Sequence, residues 1–379
     1  MNIEQFADNW LLLILAIIFL SGLFIQLIFY LFIFAKIFVA KRSKVIHSSN
    51  EPVSVIICAR NEAENLRANL PAILEQDYPD YEVIVVNDCS SDDTDNVLHE
   101  CKTKYQHFRF TTIEKDRKFS HGKKLAVTVG VKAAKHEWLL FTDADCYPVS
   151  NQWIRKMQEN FTPEASVVLG YGGYTKRKSL LNSMIRFDTM FIALQYITLA
   201  ISGAPYMGVG RNLAYRKSLF FKNKGFANHY HIPSGDDDLF VNEVATRHNV
   251  RVEISPESIT RSIAKKSITE WFIQKKRHVK TGTHYKMSSK IILGLESISR
   301  ILYYMAFIFL LIFFSHLYLY IVPLFLFRTV IQSIIFKKTI NMLSEKNILL
   351  ASLFYDFILP LINLTFVMAN VISTYKKTN

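Results

Sequence analysis

The residues Trp138-Leu139-Leu140-Phe141-Thr142-Asp143-Ala144-Asp145 decide how this chain is read. Four large apolar residues in succession, with no polar residue alternating between them, mark a strand covered on both faces. The two aspartates that end it are one residue apart, so both carboxylates leave the strand on the same side of the pleat. Working outward, residues 53–58 form a β-branched run, 64–76 have helical periodicity, 82–87 form a second apolar run and 92–104 are helical again. That alternation predicts βαβ units around a parallel sheet, an α/β domain. Ligands of such sheets bind beyond the carboxyl ends of the strands. The polar residues gather there: Arg60-Asn61-Glu62, Asp88 and the pair Asp143 and Asp145.

Beyond this domain the chain becomes apolar. Half of its 379 residues are hydrophobic and the mean hydropathy is +0.15, too apolar for an ordinary soluble enzyme. Residues 10–35 carry no charge and exceed the roughly 20 residues that cross a bilayer. Glu4 and Asp8 precede this segment, and Lys36, Lys41, Arg42 and Lys44 follow it, which predicts an outside N-terminus and a cytoplasmic domain after it. It is too long for a signal peptide and lacks a small-residue cleavage site. A second apolar stretch, 301–336, is interrupted by His316 and Arg328 and reads as one long span or a hairpin of two. A third, 348–374, contains Asp356, Pro360, Asn363 and Asn370, so three and four spans both remain open. Residues 189–210 are also uncharged, but crossing there would put Asp143 and Asp236 on opposite faces; the segment is expected against the membrane surface or the domain core.

The charge balance, 45 basic against 32 acidic residues, gives +13 and suits nucleic acid, anionic lipid or a phosphorylated substrate. Between residues 257 and 300 ten Lys or Arg face three acids, directly before an apolar segment. Such a belt is worth about 1 kcal/mol per basic residue near an anionic leaflet. The basic residues do not interleave with aromatics as in a nucleic-acid groove, so no nucleic-acid partner is expected. Cys58, Cys89, Cys101 and Cys146 show neither disulfide nor zinc spacing.

A bare Asp-x-Asp says little: 15 aspartates in 379 residues predict about 0.6 such triplets by chance, and the chain has three, at 93, 143 and 236. Context separates them. Asp143 and Asp145, at a strand end, can share a hard divalent cation, Mg²⁺ or Mn²⁺, which takes oxygen ligands and completes its shell with water and phosphates. Asp88 ends the second strand, where it can accept from a base N–H or a ribose hydroxyl. His121-Gly122-Lys123-Lys124 precedes a helix and places cations near a pyrophosphate. In Ser234-Gly235-Asp236-Asp237-Asp238, like-charge repulsion and burial raise carboxyl pKa values toward the general-base range, although a helix N-terminus with acidic capping has the same composition. Gln274-Lys275-Lys276-Arg277-His278 lies on a basic helix before the membrane segment.

In order, Arg60-Asn61-Glu62, Asp88, Lys123, Asp143-x-Asp145, Gly235-Asp236-Asp237-Asp238-Leu239 and Gln274-x-x-Arg277 resemble the membrane-bound family 2 glycosyltransferases of GT-A fold, a Rossmann-like nucleotide-sugar domain. The hyaluronan- and cellulose-synthase-like and ceramide-glucosyltransferase-like members are the most similar. The resemblance implies that Glu62 and Asp88 contact the uridine of a UDP-sugar and that Lys123 lies near its uracil or phosphates. It implies that Asp143 and Asp145 hold Mn²⁺ or Mg²⁺ on the pyrophosphate. Asp236 matches the catalytic base, with Asp237 and Asp238 as competing candidates, and Arg277 with Gln274 stabilises the departing diphosphate. Three positions depart from the family pattern: Asn87-Asp88 replaces an aspartate pair, Gly235 replaces an acid, and His278 replaces the tryptophan that stacks on the acceptor in polymer synthases.

The expected organisation is an N-terminal transmembrane helix with its basic flank (1–44), a cytoplasmic GT-A domain (45–256), membrane-surface helices with the Gln-x-x-Arg motif (257–300) and a C-terminal transmembrane region (301–379). The expected protein is a multi-pass enzyme of the cell membrane. It moves one sugar from a nucleotide donor, with inversion, to a membrane acceptor, a lipid. A processive polysaccharide synthase is the alternative, as is an inactive scaffold for a synthase partner subunit.

Overall fold

The computed structural model describes residues 3–40, 50–114 and 122–378, without the side chains of 3–9, 367 and 369–378. Lys41, Arg42, Lys44 and His121, and the side chains of Glu4, Asp8, Asn370, Lys376 and Lys377, lie outside the described residues. The strands are β1 (Val53–Ala59), β2 (Tyr81–Asp88), β3 (Phe108–Ile113), β4 (Trp138–Asp143), β5 (Cys146–Pro148), β6 (Val167–Leu169), β7 (Gly172–Tyr174), β8 (Leu213–Arg216), β9 (Val250–Val252) and β10 (Thr260–Ser262). Seven of them make the main sheet in the order β3-β2-β1-β4-β8-β6-β9, and β5-β10-β7 form a small second sheet.

The expected parallel sheet is found in β3-β2-β1-β4, with Val55 level with Val83 and Leu140. β8 departs from it, running antiparallel to both β4 and β6. The cause is the route of the chain: β8 begins with Leu213 beside Phe141, near the carboxyl end of β4, so it can only run back. This return brings residues 208–212 to the edge of the strand that carries Asp143.

Helices α2 (Ala63–Leu74), α3 (Thr94–Lys104) and α5 (Trp153–Gln158) cover one face, where Leu66, Leu70, Val97 and Leu98 pack on Val55, Val83 and Leu140. On the other, α4 (Lys123–Ala133) lays Val127 and Val131 over Ile56, Ile84 and Leu139. α6 (Leu180–Ile201) is buried along most of its length and packs Phe187 and Phe191 against Phe336. The uncharged stretch 189–210 is therefore core helix as far as Ile201. α7 (Lys217–Lys222) and α8 (Asp238–Val244) complete the domain, and α9 (Ile268–Gly282) lies over its open edge.

Among the described residues, four helical segments besides α6 are long and apolar enough to cross a membrane: Trp10–Phe38, which begins within α1 (Ile3–Ile28), α10 (Met287–Phe313), α11 within Ser315–Met342, and Leu349–Phe366 within α12 (Leu349–Thr378). α11 itself is Tyr318–Met342. α1 and α10 pack along each other, with Phe19 stacked on Tyr303 at 5.1 Å and Gln26 bonded to Ser299 at 2.9 Å. Residues 301–336 are two helices, broken at 314–317, as a hairpin requires. The hairpin returns to the catalytic domain: Lys338 lies over the ring of Phe38, and the turn after α11 inserts Glu345 between Arg186 and Arg261. α12 then packs Tyr355 on Phe187 and Phe366 on Trp271 and Phe272 of α9. Each fully buried aromatic of this seam, such as Tyr30, Phe34 and Phe336, contributes roughly 1.5–3 kcal/mol of burial, which fastens the apolar helices to the α/β domain.

Candidate active site

The strand ends meet as the sequence suggests. Asp88, at the end of β2, is buried, and among the described residues its Oδ1 has no hydrogen-bond partner. Glu62 stands at the start of α2, where Asn65 donates to its Oε2 at 2.5 Å; burial raises its pKa. The loop between them is braced by Asn61, in a left-handed conformation (φ 56°), whose Oδ1 accepts from the Ser91 N–H at 2.8 Å. Asn87 accepts from the Ser90 N–H at 3.2 Å and shapes the turn that follows Asp88.

Asp143 and Asp145 lie with Cys146 so that their ligand atoms are all within 4.8 Å of one another. Ser262 donates to Asp145 at 2.9 Å, holding one carboxylate oxygen and leaving the other toward the cluster. Two carboxylates form a hard-ion donor set that fits Mn²⁺ or Mg²⁺. Lys123, the first residue of α4, donates to Asp143 at 2.8 Å and reaches Asp236 at 3.1 Å. Burial opposes its charge, but Asp143, Asp236 and Asp237 outweigh that effect and hold its pKa well above the usual lysine value. Lys124 points the other way, donating to the backbone carbonyl of Ile232 at 2.9 Å, so the two adjacent lysines divide between site and scaffold.

The acidic cluster also divides. Asp237 is the N-cap of α8; its Oδ1 accepts from the Asp238 N–H at 2.8 Å and its Oδ2 from the Gly210 N–H at 2.7 Å. The capping composition recognised in the sequence is thus present, and Asp237 fixes the approach of the 208–212 loop. Asp238 turns inward to the hydroxyls of Thr281 and Tyr285; burial and the charge of Asp237 push it up to about 7. Asp236 faces Lys123, and burial raises its pKa, with the charges of Asp237 and Asp143 adding to the shift against Lys123. Gly235, where the family has an acid, has φ +91°, and a Cβ there would lie 2.4 Å from Leu239 Cδ1; no side chain fits.

Lys123, Asp143, Asp145 and Asp236–Asp238 border one cavity of about 430 Å³ that runs on to Leu293 and Ser297 of α10, whereas Glu62 and Asp88 are not among its lining residues. Helix α9 forms a wall. Its Arg277 and His278 line the cavity, and Gln274 donates to the Tyr174 hydroxyl at 3.3 Å. The protein around His278 and the cations Arg277, Lys275 and Arg211 push its imidazole down to about 4, so it is neutral near pH 7. Lys275 is paired with Asp188 of α6 at 2.6 Å and anchors α9. Trp271 also borders the cavity, while its ring packs against Phe366. Three of the ten basic residues counted between 257 and 300 (Arg261, Lys275 and Arg300) are buried in ion pairs, so the membrane-facing belt is thinner than the count suggests.

Arg211 lies in the segment Gly208-Val209-Gly210-Arg211-Asn212, which the family resemblance sets at the acceptor pocket and which reads equally as a tight turn, so its guanidinium received no role of its own; Tyr174, on a three-residue strand with no periodic signal, was missed. The guanidinium stacks 4.5 Å over the tyrosine ring, within the same cavity.

Residues 54–221 match the family model for Glycosyl transferase family 2, and this segment is a family 2 glycosyltransferase domain. The poly-beta-1,6-N-acetyl-D-glucosamine synthase of Staphylococcus epidermidis is 31% identical over 162 residues, 41% of this chain and 37% of that protein. Glycosyltransferase AglE of Haloferax volcanii is 36% identical over 106 residues, 27% of this chain and 33% of AglE. The matches thus span little more than a third of either relative. Among solved structures, the mannosyltransferase PcManGT of Pyrobaculum calidifontis, in complex with GDP-Man and Mn²⁺, aligns over 88% of this chain and 99% of its own, with 20% identity and a TM-score of 0.57. The shared fold is the GT-A fold.

Proposed function

We propose that this protein transfers a sugar from a UDP-sugar to a hydroxyl of a membrane lipid, with inversion, at the cytoplasmic leaflet. The observation that carries the reading is the single cavity joining the aspartates at the end of β4 to α10, one of the apolar helices. A donor bound at the strand ends and an acceptor entering beside α10 share that space. Such an enzyme is expected in the cell membrane, with its GT-A domain in the cytoplasm.

Asp143 and Asp145 would hold Mn²⁺ or Mg²⁺, which supplies Lewis-acid neutralisation of the diphosphate. Glu62 and the unpartnered oxygen of Asp88 offer acceptors to the nucleoside. Lys123 lies between the metal carboxylates and Asp236 and brings positive charge to the leaving-group side. Asp236, more basic than an exposed aspartate, takes the acceptor hydroxyl proton. Asp237, held by two backbone N–H groups, keeps Gly210 and Asp236 in place. Arg277 faces the departing diphosphate, and Gln274 acts on it through Tyr174.

A second reading, chain extension, is favoured by the synthase relative of Staphylococcus epidermidis. Against it stands His278, neutral and smaller than a stacking tryptophan. The test is nucleoside diphosphate release by the full-length protein in detergent with Mn²⁺ and panels of UDP- and GDP-sugars, with and without a total lipid extract. Lipid-stimulated release with one product per acceptor is expected. A ladder of products under excess donor would replace the single-transfer reading, and release only from GDP-sugars would replace the uridine assignment.

A further inference from the structure

We infer that Arg211, carried on the face of Tyr174, is a second guanidinium, besides Arg277, that binds the diphosphate of the donor and of the departing nucleotide. The inference rests on the proposed function and gives Arg211 a role that the sequence did not assign to it.

The buried arginines are satisfied by carboxylates: Arg186 and Arg261 by Glu345, Arg300 by Glu296 and Asp356, and Arg328 by Asp356, whereas Arg211 is half-buried. Arg211 has no such partner. Among the described residues its guanidinium makes no hydrogen bond or ion pair, and its Nη1 is buried without an acceptor. A guanidinium in that condition is costly unless a ligand supplies the anion, and its planar fork matches phosphate oxygens two at a time.

The chain has been shaped to hold it there. The Arg211 carbonyl accepts from Thr142 Oγ1 at 3.1 Å and from Thr260 Oγ1 at 2.8 Å, which ties its backbone to the end of β4 and to β10. Gly172 leaves room for the side chain: a Cβ there would lie 2.7 Å from Arg211 Cβ. The guanidinium lies over the Tyr174 ring, whose hydroxyl accepts from Gln274 of α9. Gln274, Tyr174 and Arg211 thus form a chain of contacts from α9 to the cavity that also holds Asp143 and Asp145. A cation fixed beside the metal carboxylates, and unpaired with them, faces the oxygens that a metal-bound diphosphate leaves uncoordinated.

The experiment measures binding of UDP, uridine and inorganic pyrophosphate to the full-length protein in detergent with Mn²⁺, for the wild type, Arg211→Ala and Arg211→Lys. The expected result is a UDP and pyrophosphate Kd raised about 10- to 100-fold by Arg211→Ala, the range for losing charge-assisted hydrogen bonds, with uridine affinity unchanged. Arg211→Lys, which keeps the charge and loses the fork, should lie between. Should the alanine variant not fold, Arg211→Lys still decides: it must weaken UDP while sparing uridine. UDP binding that is unchanged in folded variants, or UDP and uridine weakened alike, overturns the assignment. Wild-type protein that binds neither UDP nor pyrophosphate overturns the proposed function itself, and this inference with it.

Discussion

The protein contains two clusters of buried charge that differ in one respect. Between α10, α11 and α12, Arg300 and Arg328 share Asp356, Arg300 also meets Glu296, and Tyr304 donates to Asp356 at 2.7 Å. Arg328 extends the set to Gln26 of α1 at 2.8 Å. Every ion there faces an opposite one inside the protein. In the cavity cluster, Lys123 bridges Asp143 and Asp236, but Asp145, Arg211 and Arg277 all face the cavity. The closed cluster fastens helices in an apolar setting, where an unpaired charge is expensive. The open one keeps charges directed at a space the size of a ligand, and its fold must bear the cost.

Breaking the open cluster should cost activity first. Asp236→Asn is expected to slow transfer about 10²- to 10⁴-fold, the usual contribution of a general base, while UDP affinity stays within a factor of two. Asp145→Asn should instead abolish the Mn²⁺ dependence of UDP binding. Binding isotherms and UDP release separate the two; equal loss of binding in both would erase the division of roles between Asp236 and Asp145.

In the closed cluster the expected loss is stability. Asp356→Asn leaves Arg328 without a carboxylate and Arg300 with Glu296 alone, and should destabilise the helix assembly by about 3–5 kcal/mol, the range for removing one partner of a buried pair. Thermal unfolding in detergent reads it. A variant that melts like the wild type would show that the cluster is solvated.

Asp238 belongs to the cavity wall but behaves like the closed cluster. Its pKa of about 7 lies above the usual carboxyl value, so its contribution to stability is complete at low pH and is lost as the pH rises through 7. The wild-type melting temperature should therefore fall more steeply between about pH 4 and pH 7 than that of Asp238→Asn, which stays neutral throughout. Parallel curves would contradict the buried setting of this carboxyl beside Thr281 and Tyr285.

The smallest effect is expected from Tyr174→Phe, which keeps the ring under Arg211 and removes the acceptor for Gln274. One neutral hydrogen bond is worth about 0.5–1.5 kcal/mol, so turnover should fall by no more than about tenfold, without a change in uridine binding. A loss as large as that of Asp236→Asn would make the hydroxyl itself part of the chemistry.

Much of this was legible in the residues. The buried run ending in Asp143 fixes β4, the β-branched run before Ala59 fixes β1, and the acids at their ends mark the site, because a parallel α/β sheet presents strand ends to ligands. The division of labour within Asp236-Asp237-Asp238 was not legible: three equal side chains in sequence become one cavity-facing acid, one helix cap and one inward acid only when α8 turns beneath α9. Lys123 and Lys124 are another such pair, identical in sequence and opposed in direction by helical rotation. In the stretch 301–336 the sequence left one long span and a hairpin both open, and of its two polar interruptions only His316 falls at the break at 314–317, while Arg328 lies within α11.

Composition and order by themselves determined that this chain joins an α/β domain to segments apolar enough to cross a membrane, since uncharged runs of more than 20 residues and buried strands are local properties of solvation. Tertiary structure alone decided which charges meet. The antiparallel return of β8 carries Arg211 to the end of β4, and the turn after α11 carries Glu345 to Arg186 and Arg261. Electrostatic and hydrogen-bonding partners are set by distance through space, and residues as far apart in the chain as Arg261 and Glu345 become neighbours only when the sheet and the helices close on one another.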